Sequence, residues 1–226
     1  MTSMTMPWWV FHQEQLAAVL QPTVPGAHAP AGQPARQRGE HATQAARAAC
    51  GRDEGGGVTQ LSSGDLLDAR GDAVISACGT YRYLLQRFWD ARLESLNFVM
   101  LNPSTADASL DDPSIRRCLG FARTLGYGSL EVTNLFGLRS TDPRALRGHA
   151  DPIGPENDEQ IVSSAKVCHL TICAWGALGS YLGRANHVLG LLRKAGIAPH
   201  ALAVTQDGQP KHPLYLKGDL QPVRIP

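Results

Sequence analysis

Leu96-Asn97-Phe98-Val99-Met100-Leu101, followed at once by Asn102-Pro103-Ser104-Thr105, decides how this chain is read. The first six residues are a short, nearly continuous apolar run, the pattern of a strand buried on both faces of a sheet. Asn102-Pro103 stops it, because proline holds the residue before it in an extended conformation. Asp112-Pro113 then supplies a helix N-cap and a proline at the first helical position. Ile115, Leu119, Ala122 and Leu125 follow at helical spacing, and Gly126 closes the helix.

The alternation repeats downstream. Residues 129–135 (SLEVTNL) read as a second strand and 155–166 as a second helix. Residues 167–175 (VCHLTICAW) read as a third strand, 184–195 as a third helix with Val188, Leu189 and Leu192 inward, and 201–205 as a fourth strand. Upstream, residues 73–89 contain Val74, Ser76, Tyr81, Tyr83 and Leu85 around a Cys78-Gly79-Thr80 break, which suggests a β-hairpin or edge pair. Strand–helix alternation with buried strands implies an α/β fold: a three-layer α/β/α domain over residues 73–226, with a four-stranded, mostly parallel central sheet and an added hairpin.

Residues 1–72 read differently and form a separate arm. Residues 7–20 carry Trp8, Trp9, Phe11, Leu16, Val19 and Leu20, enough for a short amphipathic helix. Residues 22–57 are rich in Ala, Gly, Pro, Gln and Arg and read as a flexible linker, unable to bury enough surface to offset ordering entropy. Residues 61–70 add a helical turn or two. The partner of this arm is open.

Composition narrows the class. No run approaches the ~18 apolar residues of a membrane span. The first 21 residues have no basic n-region, so a secretory signal is not expected and the expected compartment is cytoplasmic. Five cysteines occur without a Cys-x-x-Cys pair, which gives no support to zinc or iron–sulfur ligation. Cys118, Cys168 and Cys173 sit in apolar segments and read as small buried hydrophobes. From Ala73 onward there are 16 basic and 13 acidic residues, a weak bias that does not by itself indicate nucleic acid.

In sheets of this kind ligands bind beyond the C-terminal strand ends. Four polar blocks occur there. Asn102 in MLNPSTAD is held at the sheet edge by its proline. Asn134 in TNLFGLR is the last polar residue of an apolar strand, and its amide offers a donor and an acceptor together. Gly176 in CAWGALG allows close backbone approach to a ligand. His212 in KHPLYL is fixed by Pro213 and can donate to a developing anion at neutral pH. Each block alone also reads as ordinary turn chemistry; their shared edge is what suggests a site.

In order and strand context, Asn102-Pro103, Asn134, Trp175-Gly176 and His212-Pro213 resemble the motifs of the uracil-DNA glycosylase superfamily, over roughly residues 96–216. The MLNPSTAD, NLFGLR, AWG and KHPLY blocks resemble more closely a bacterial and phage domain family catalogued without a function. The glycosylase resemblance implies a four-stranded parallel sheet and a monofunctional DNA glycosylase that flips a nucleotide and leaves an abasic site. It implies that Asn102 positions water and that His212 stabilises the departing base; either water attack on a largely formed cation suffices, or a carboxylate such as Asp107, Asp111 or Asp112 assists, Asp111 being the expected catalytic one. Ser104, Asn134, Leu135, Trp175 and Gly176 would line the base. Ser104 stands where the uracil-specific branch has an aromatic residue that blocks C5, so the expected substrate is a C5-modified pyrimidine such as glucosylated hydroxymethylcytosine of phage DNA. No cofactor is implied, since the clustered cysteines of the iron–sulfur branch are missing.

DNA is the expected partner, through Arg116, Arg139, Lys211 and a wedge at Leu214 and Tyr215. Arg117 and Arg123 on the first helix, and Arg144, Arg147 and His149 after the second strand, are further basic candidates. A non-catalytic reader of modified bases or nucleotides is the competing expectation, kept open because Asn102 stands in place of a carboxylate. A glycosidase acting on free nucleosides is a third.

Overall fold

The computed structural model describes residues 70–104 and 106–226. The helix expected over residues 7–20, the linker over 22–57 and the turns over 61–69 lie outside the described residues. Arg70, expected at the end of those turns, already belongs to the first strand.

The strands are β1 (Arg70–Ile75), β2 (Arg82–Phe88), β3 (Ser95–Met100), β4 (Ser129–Asn134), β5 (Leu170–Cys173), β6 (Pro199–Ala201) and β7 (Val223–Arg224). The helices of three turns are α1 (Pro113–Thr124), α2 (Asn157–Val167) and α3 (Arg184–Lys194). One mixed sheet orders the strands β1-β2-β4-β3-β5-β6-β7. The α/β class is therefore as expected, but the sheet has seven strands rather than four. The hairpin is not an appendage: β2 pairs antiparallel with β4, Leu85 opposite Val132, and so extends the sheet. β7 adds an antiparallel edge on β6, and two residues are too few to give a readable period. Between these edges, β3 pairs parallel with both β4 and β5, and β5 parallel with β6.

Side-chain alternation along the inner strands separates two cores. Leu96, Phe98 and Met100 of β3, Leu130 and Val132 of β4, and Ile172 of β5 pack with Ile115, Cys118, Leu119 and Ala122 of α1. Val99 and Cys173 face the other way and pack with Ile161 and Ala165 of α2 and Ala185, Val188 and Leu192 of α3. Helices on both faces make the three layers. Cys118, Cys168 and Cys173 are buried free thiols, and burial raises the pKa of each, as befits small hydrophobes.

Local signals account for most boundaries. Asp112 caps α1 by accepting from the Ile115 N–H at 2.9 Å, and Gly126 follows the helix at φ 82°. β5 is shorter than residues 167–175 because Val167 ends α2 and the Cys168 N–H closes it on the Ser164 carbonyl. The last parallel strand lies at Pro199–Ala201, earlier than expected. Residues after it leave the sheet and fold back on themselves, with Thr205 N–H donating to Gln209 O and Lys211 N–H to Ala203 O. That return loop carries His212 to the sheet. No described helix is long and apolar enough to cross a membrane.

Candidate functional site

Asn102, Asn134 and Gly176 stand at or just past the C-terminal ends of the adjacent strands β3, β4 and β5, with Met100 directly opposite Asn134. His212 joins them from the return loop. A Cβ added at Gly176 would meet His212 Cβ at 3.8 Å, and the Gly176 N–H donates to Pro210 O at 2.8 Å. Gly176, at φ 75°, thus seats the histidine loop.

Each side chain is prepared by what its other atoms do. The Asn102 amide donates through Nδ2 to Ser140 O at 2.8 Å and to Pro103 O at 3.1 Å. With both donors spent, Oδ1 is the group left to act, and it is an acceptor. Asn134 continues the α1-facing row of Leu130 and Val132 and is 1% exposed, yet its Nδ2 has no hydrogen-bond partner among the described residues. Its backbone carbonyl is held instead: Asn157, at the start of α2, donates to Asn134 O at 2.9 Å and to Leu135 O at 3.1 Å. Arg184, at the start of α3, adds a bond from Nε to Leu135 O at 3.0 Å. Two helix starts therefore clamp the end of β4 while its terminal amide is left uncommitted.

His212 accepts the Leu214 N–H on Nδ1 at 3.3 Å. A backbone N–H can only donate, so the neutral ring carries its proton on Nε2 and presents a donor. Burial lowers the His212 pKa, and the Asp112 carboxylate opposes this in part. The turn behind it, Pro213–Tyr215, is fixed by Arg117 of α1, which donates to Pro213 O at 3.4 Å and to Leu216 O.

The carboxylates divide their work. Asp107 accepts the Ser109 and Leu110 N–H groups and the Ser109 hydroxyl, which together lower its pKa. Asp111, the carboxylate expected to assist catalysis, pairs with the buried Arg87 at 2.8 Å. Arg87 also donates to Asp107 O at 2.6 Å, so the pair fastens the loop before α1. Asp112 is the carboxylate whose charge reaches both His212 and Arg82.

Two expected base contacts belong to the core instead. Trp175 is 1% exposed, lies in the α2/α3 core and donates from Nε1 to Gln209 Oε1 at 2.9 Å. Leu135 is fully buried in the same core. Both occupy positions whose parity points away from the α1 face. Ser104 is half-buried and lines a cavity of about 360 Å³ with Gly79, Thr80, Leu138, Arg139, Ser140 and Thr141. Of the expected DNA contacts, Arg116 and Lys211 are exposed, Leu214 is partly exposed, and Tyr215 is 85% exposed. Arg139 is half-buried and donates to Gly79 O at 3.2 Å. Arg117 and Arg123 stack on Phe121 and Trp89, Arg144 pairs with Asp142, Arg147 lies over Tyr181 and His149 bonds Asp151 O.

Arg82 is a site residue the sequence reading missed. It opens β2, and antiparallel pairing sets the start of β2 beside the end of β4. It is 2% exposed, donates to Ala106 O, and its Nε has no partner among the described residues. Burial pushes its pKa down to about 10, and the Arg139 and Arg87 charges push the same way against Asp112 and Asp107. The available signal was its place between Tyr81 and Tyr83, inside an apolar run where a charge is unusual.

A family model described as "Protein of unknown function (DUF1643)" matches residues 82–214, from Arg82 through the turn after His212. The chain belongs to this family. The DUF1643 match covers every block of the candidate site and carries no activity with it; nothing in it links the chain to the uracil-DNA glycosylases. No curated protein and no solved structure matches the chain.

Proposed function

We propose that this domain is a monofunctional DNA glycosylase that hydrolyses the N-glycosidic bond of a flipped, non-standard nucleotide and leaves an abasic site, in antiphage defence or base-excision repair. The observation that carries the reading is the buried amide of Asn134, held at a strand end with its donor uncommitted. A polar group kept dry and unpaired costs about 1–3 kcal/mol, which is a reason to look for a ligand that pairs it. A base edge is such a ligand, offering an acceptor to Nδ2 and a donor to Oδ1.

The chemistry follows from the neighbours. Cleavage leaves positive charge on the sugar and negative charge on the base, as in glycoside hydrolysis generally. The neutral His212 donates from Nε2 to the departing base and needs no change of protonation state to do so. Oδ1 of Asn102 orients the water that adds to C1′. An amide is no strong base, but water attack on a largely formed cation does not need one. Asp112, rather than Asp111, supplies the negative charge near the reacting centre. The small side chain of Ser104 leaves room at C5 and favours a C5-modified pyrimidine, glucosylated hydroxymethylcytosine among them. Tyr215 and Leu214 supply an exposed wedge, and Arg116 and Lys211 exposed cations, for a DNA strand in the solvent of the cytoplasm.

The test is a panel of oligonucleotides bearing uracil, mismatched thymine, hydroxymethylcytosine or glucosylated hydroxymethylcytosine, scored for alkali-labile sites. Release from a C5-substituted base is expected, and Asn102→Ala or His212→Ala should abolish release while DNA affinity stays. Release of plain uracil alone overturns the C5 assignment. No release from any substrate, with affinity lost in the same variants, is the signature of a reader of modified bases; the presence of Asn102 instead of a carboxylate favours that second reading.

A further inference from the structure

We infer that the cavity beside Ser104 is an oxyanion site, in which Arg139 holds a phosphate or carboxylate group of the substrate with Arg82 behind it. The inference deepens the reading above and rests on it only in taking the oxyanion to be part of a nucleic acid.

Four observations support it. First, Arg139 lines the cavity together with Thr80, Ser104, Ser140 and Thr141, and no carboxylate lines it among the described residues. Second, Arg139 spends Nη1 on Gly79 O, yet its Nε is buried and has no partner among the described residues. Third, Arg82 is almost wholly buried, its Nε has no partner among the described residues, and the Arg139 charge acts on it against those of Asp112 and Asp107. Fourth, neither arginine forms an ion pair among the described residues, as the buried Arg87 and Arg184 do. Two neighbouring cations, one of them dry, are an expensive arrangement for a fold to keep. A planar fork with an open N–H is the donor set that grips an oxyanion through parallel hydrogen bonds. The cavity walls add hydroxyl donors at Thr80 and Ser104, while the Ser140 hydroxyl is taken by Asp142.

Oxyanions reach such a site from two places in a nucleic acid: the phosphodiester next to the flipped nucleotide, or an acidic substituent on C5 of its base, entering past Ser104. The experiment separates them. Fluorescence anisotropy is measured for the full chain with fluorescein-labelled single strands carrying one cytosine, one 5-hydroxymethylcytosine or one 5-carboxycytosine, each over a series of salt concentrations. Wild type is compared with Arg139→Gln and Arg139→Lys.

With a backbone phosphate in the cavity, Arg139→Gln weakens all strands alike, by about 10–100-fold, and lowers the salt slope by about 1. With a base substituent there, the same variant weakens only the 5-carboxycytosine strand. Arg139→Lys recovers part of the loss in either case, since it keeps the charge and loses the fork. Unchanged affinity and unchanged salt slope in Arg139→Gln on every strand overturns the inference. Base release is scored on the same strands. A protein that shows the Arg139 effect on binding but releases no base from these strands or from the oligonucleotide panel above, glucosylated hydroxymethylcytosine included, keeps the oxyanion site and refutes the glycosylase; release that ignores Arg139 does the reverse.

Discussion

Two buried asparagines at the same strand end should respond in opposite ways to the same substitution. Asn157 is fully buried and spends its Nδ2 on Asn134 O and Leu135 O, at 2.9 and 3.1 Å, while its Oδ1 has no partner among the described residues. Asn134 is 1% exposed and spends its Nδ2 on nothing among the described residues. Leucine has the branching and heavy-atom count of asparagine but slightly larger methyl ends. In Asn157→Leu, Asn134 O loses this donor while Leu135 O keeps Arg184, which costs about 2–4 kcal/mol, and removal of the unpaired Asn157 Oδ1 returns about 1, leaving a net loss of about 1–3 kcal/mol. In Asn134→Leu, removing an unpaired buried donor returns about 1–3 kcal/mol, and the packing change takes back up to about 1.5. The variant should therefore range from about 0.5 kcal/mol less stable to about 3 kcal/mol more stable than wild type. For a domain of this size a gain of 1 kcal/mol is a rise of about 2–4 °C in Tm. Urea titration and thermal melting read both numbers, and base release read alongside should fall by about 10²–10³ in Asn134→Leu. If both variants lose the same stability, or if Asn134→Leu is destabilised by more than about 1 kcal/mol with base release intact, the amide is structural and the argument from its unspent donor collapses.

Other outcomes follow from the same geometry. Asp112→Asn keeps a good N-cap for α1 but removes a charge that supports protonation of His212, so the histidine pKa should fall further, as followed by NMR titration, and base release should drop with little change in Tm. Asp111→Asn should instead cost about 1–3 kcal/mol, measured by urea unfolding, because it breaks the ion pair that fastens residues 106–111 to Arg87. The folded-state pKa of His212 is lowered, so its neutral ring contributes fully above the ordinary histidine value of about 6.5. Stability should decline as pH falls through that value towards the lowered one, whereas base release should decline only at the lowered value, where protonation of Nδ1 breaks the Leu214 N–H bond that orients the ring; His212→Gln should flatten that acid limb of a pH–rate profile. Ser104→Tyr should abolish release of a C5-substituted base; unchanged release from glucosylated hydroxymethylcytosine would show that C5 does not point there.

Much of the site was legible because its residues interrupt apolar runs. Asn102 ends one, Asn134 another, and His212-Pro213 follows a Gly/Gln/Pro loop, so polarity at a strand end marks all three. Trp175 and Leu135 were misplaced for a reason that is equally physical. Position past a strand end does not say which face a side chain takes, and one residue of parity moves it from pocket to core. Arg82 was hidden because an arginine in a hairpin reads as solvent-facing; only the pairing of β2 with β4 buries it. The clamp by Asn157 and Arg184 was hidden likewise, since nothing near them in the chain shows that two helix starts meet the same carbonyl, that of Leu135.

Local chemistry, by itself, determined the alternation of strands and helices, the cap at Asp112, the stop at Gly126 and the sheet edge at which polar residues gather. Those features depend on neighbours within a few residues, which the chain states directly. The size of the sheet, the antiparallel edges, the commitment of Asp111 to Arg87 and the meeting of Arg82 with Arg139 were decided only in three dimensions. Each depends on contacts between segments far apart in the chain, and a periodic pattern tells which face of an element is apolar without telling which element will cover it.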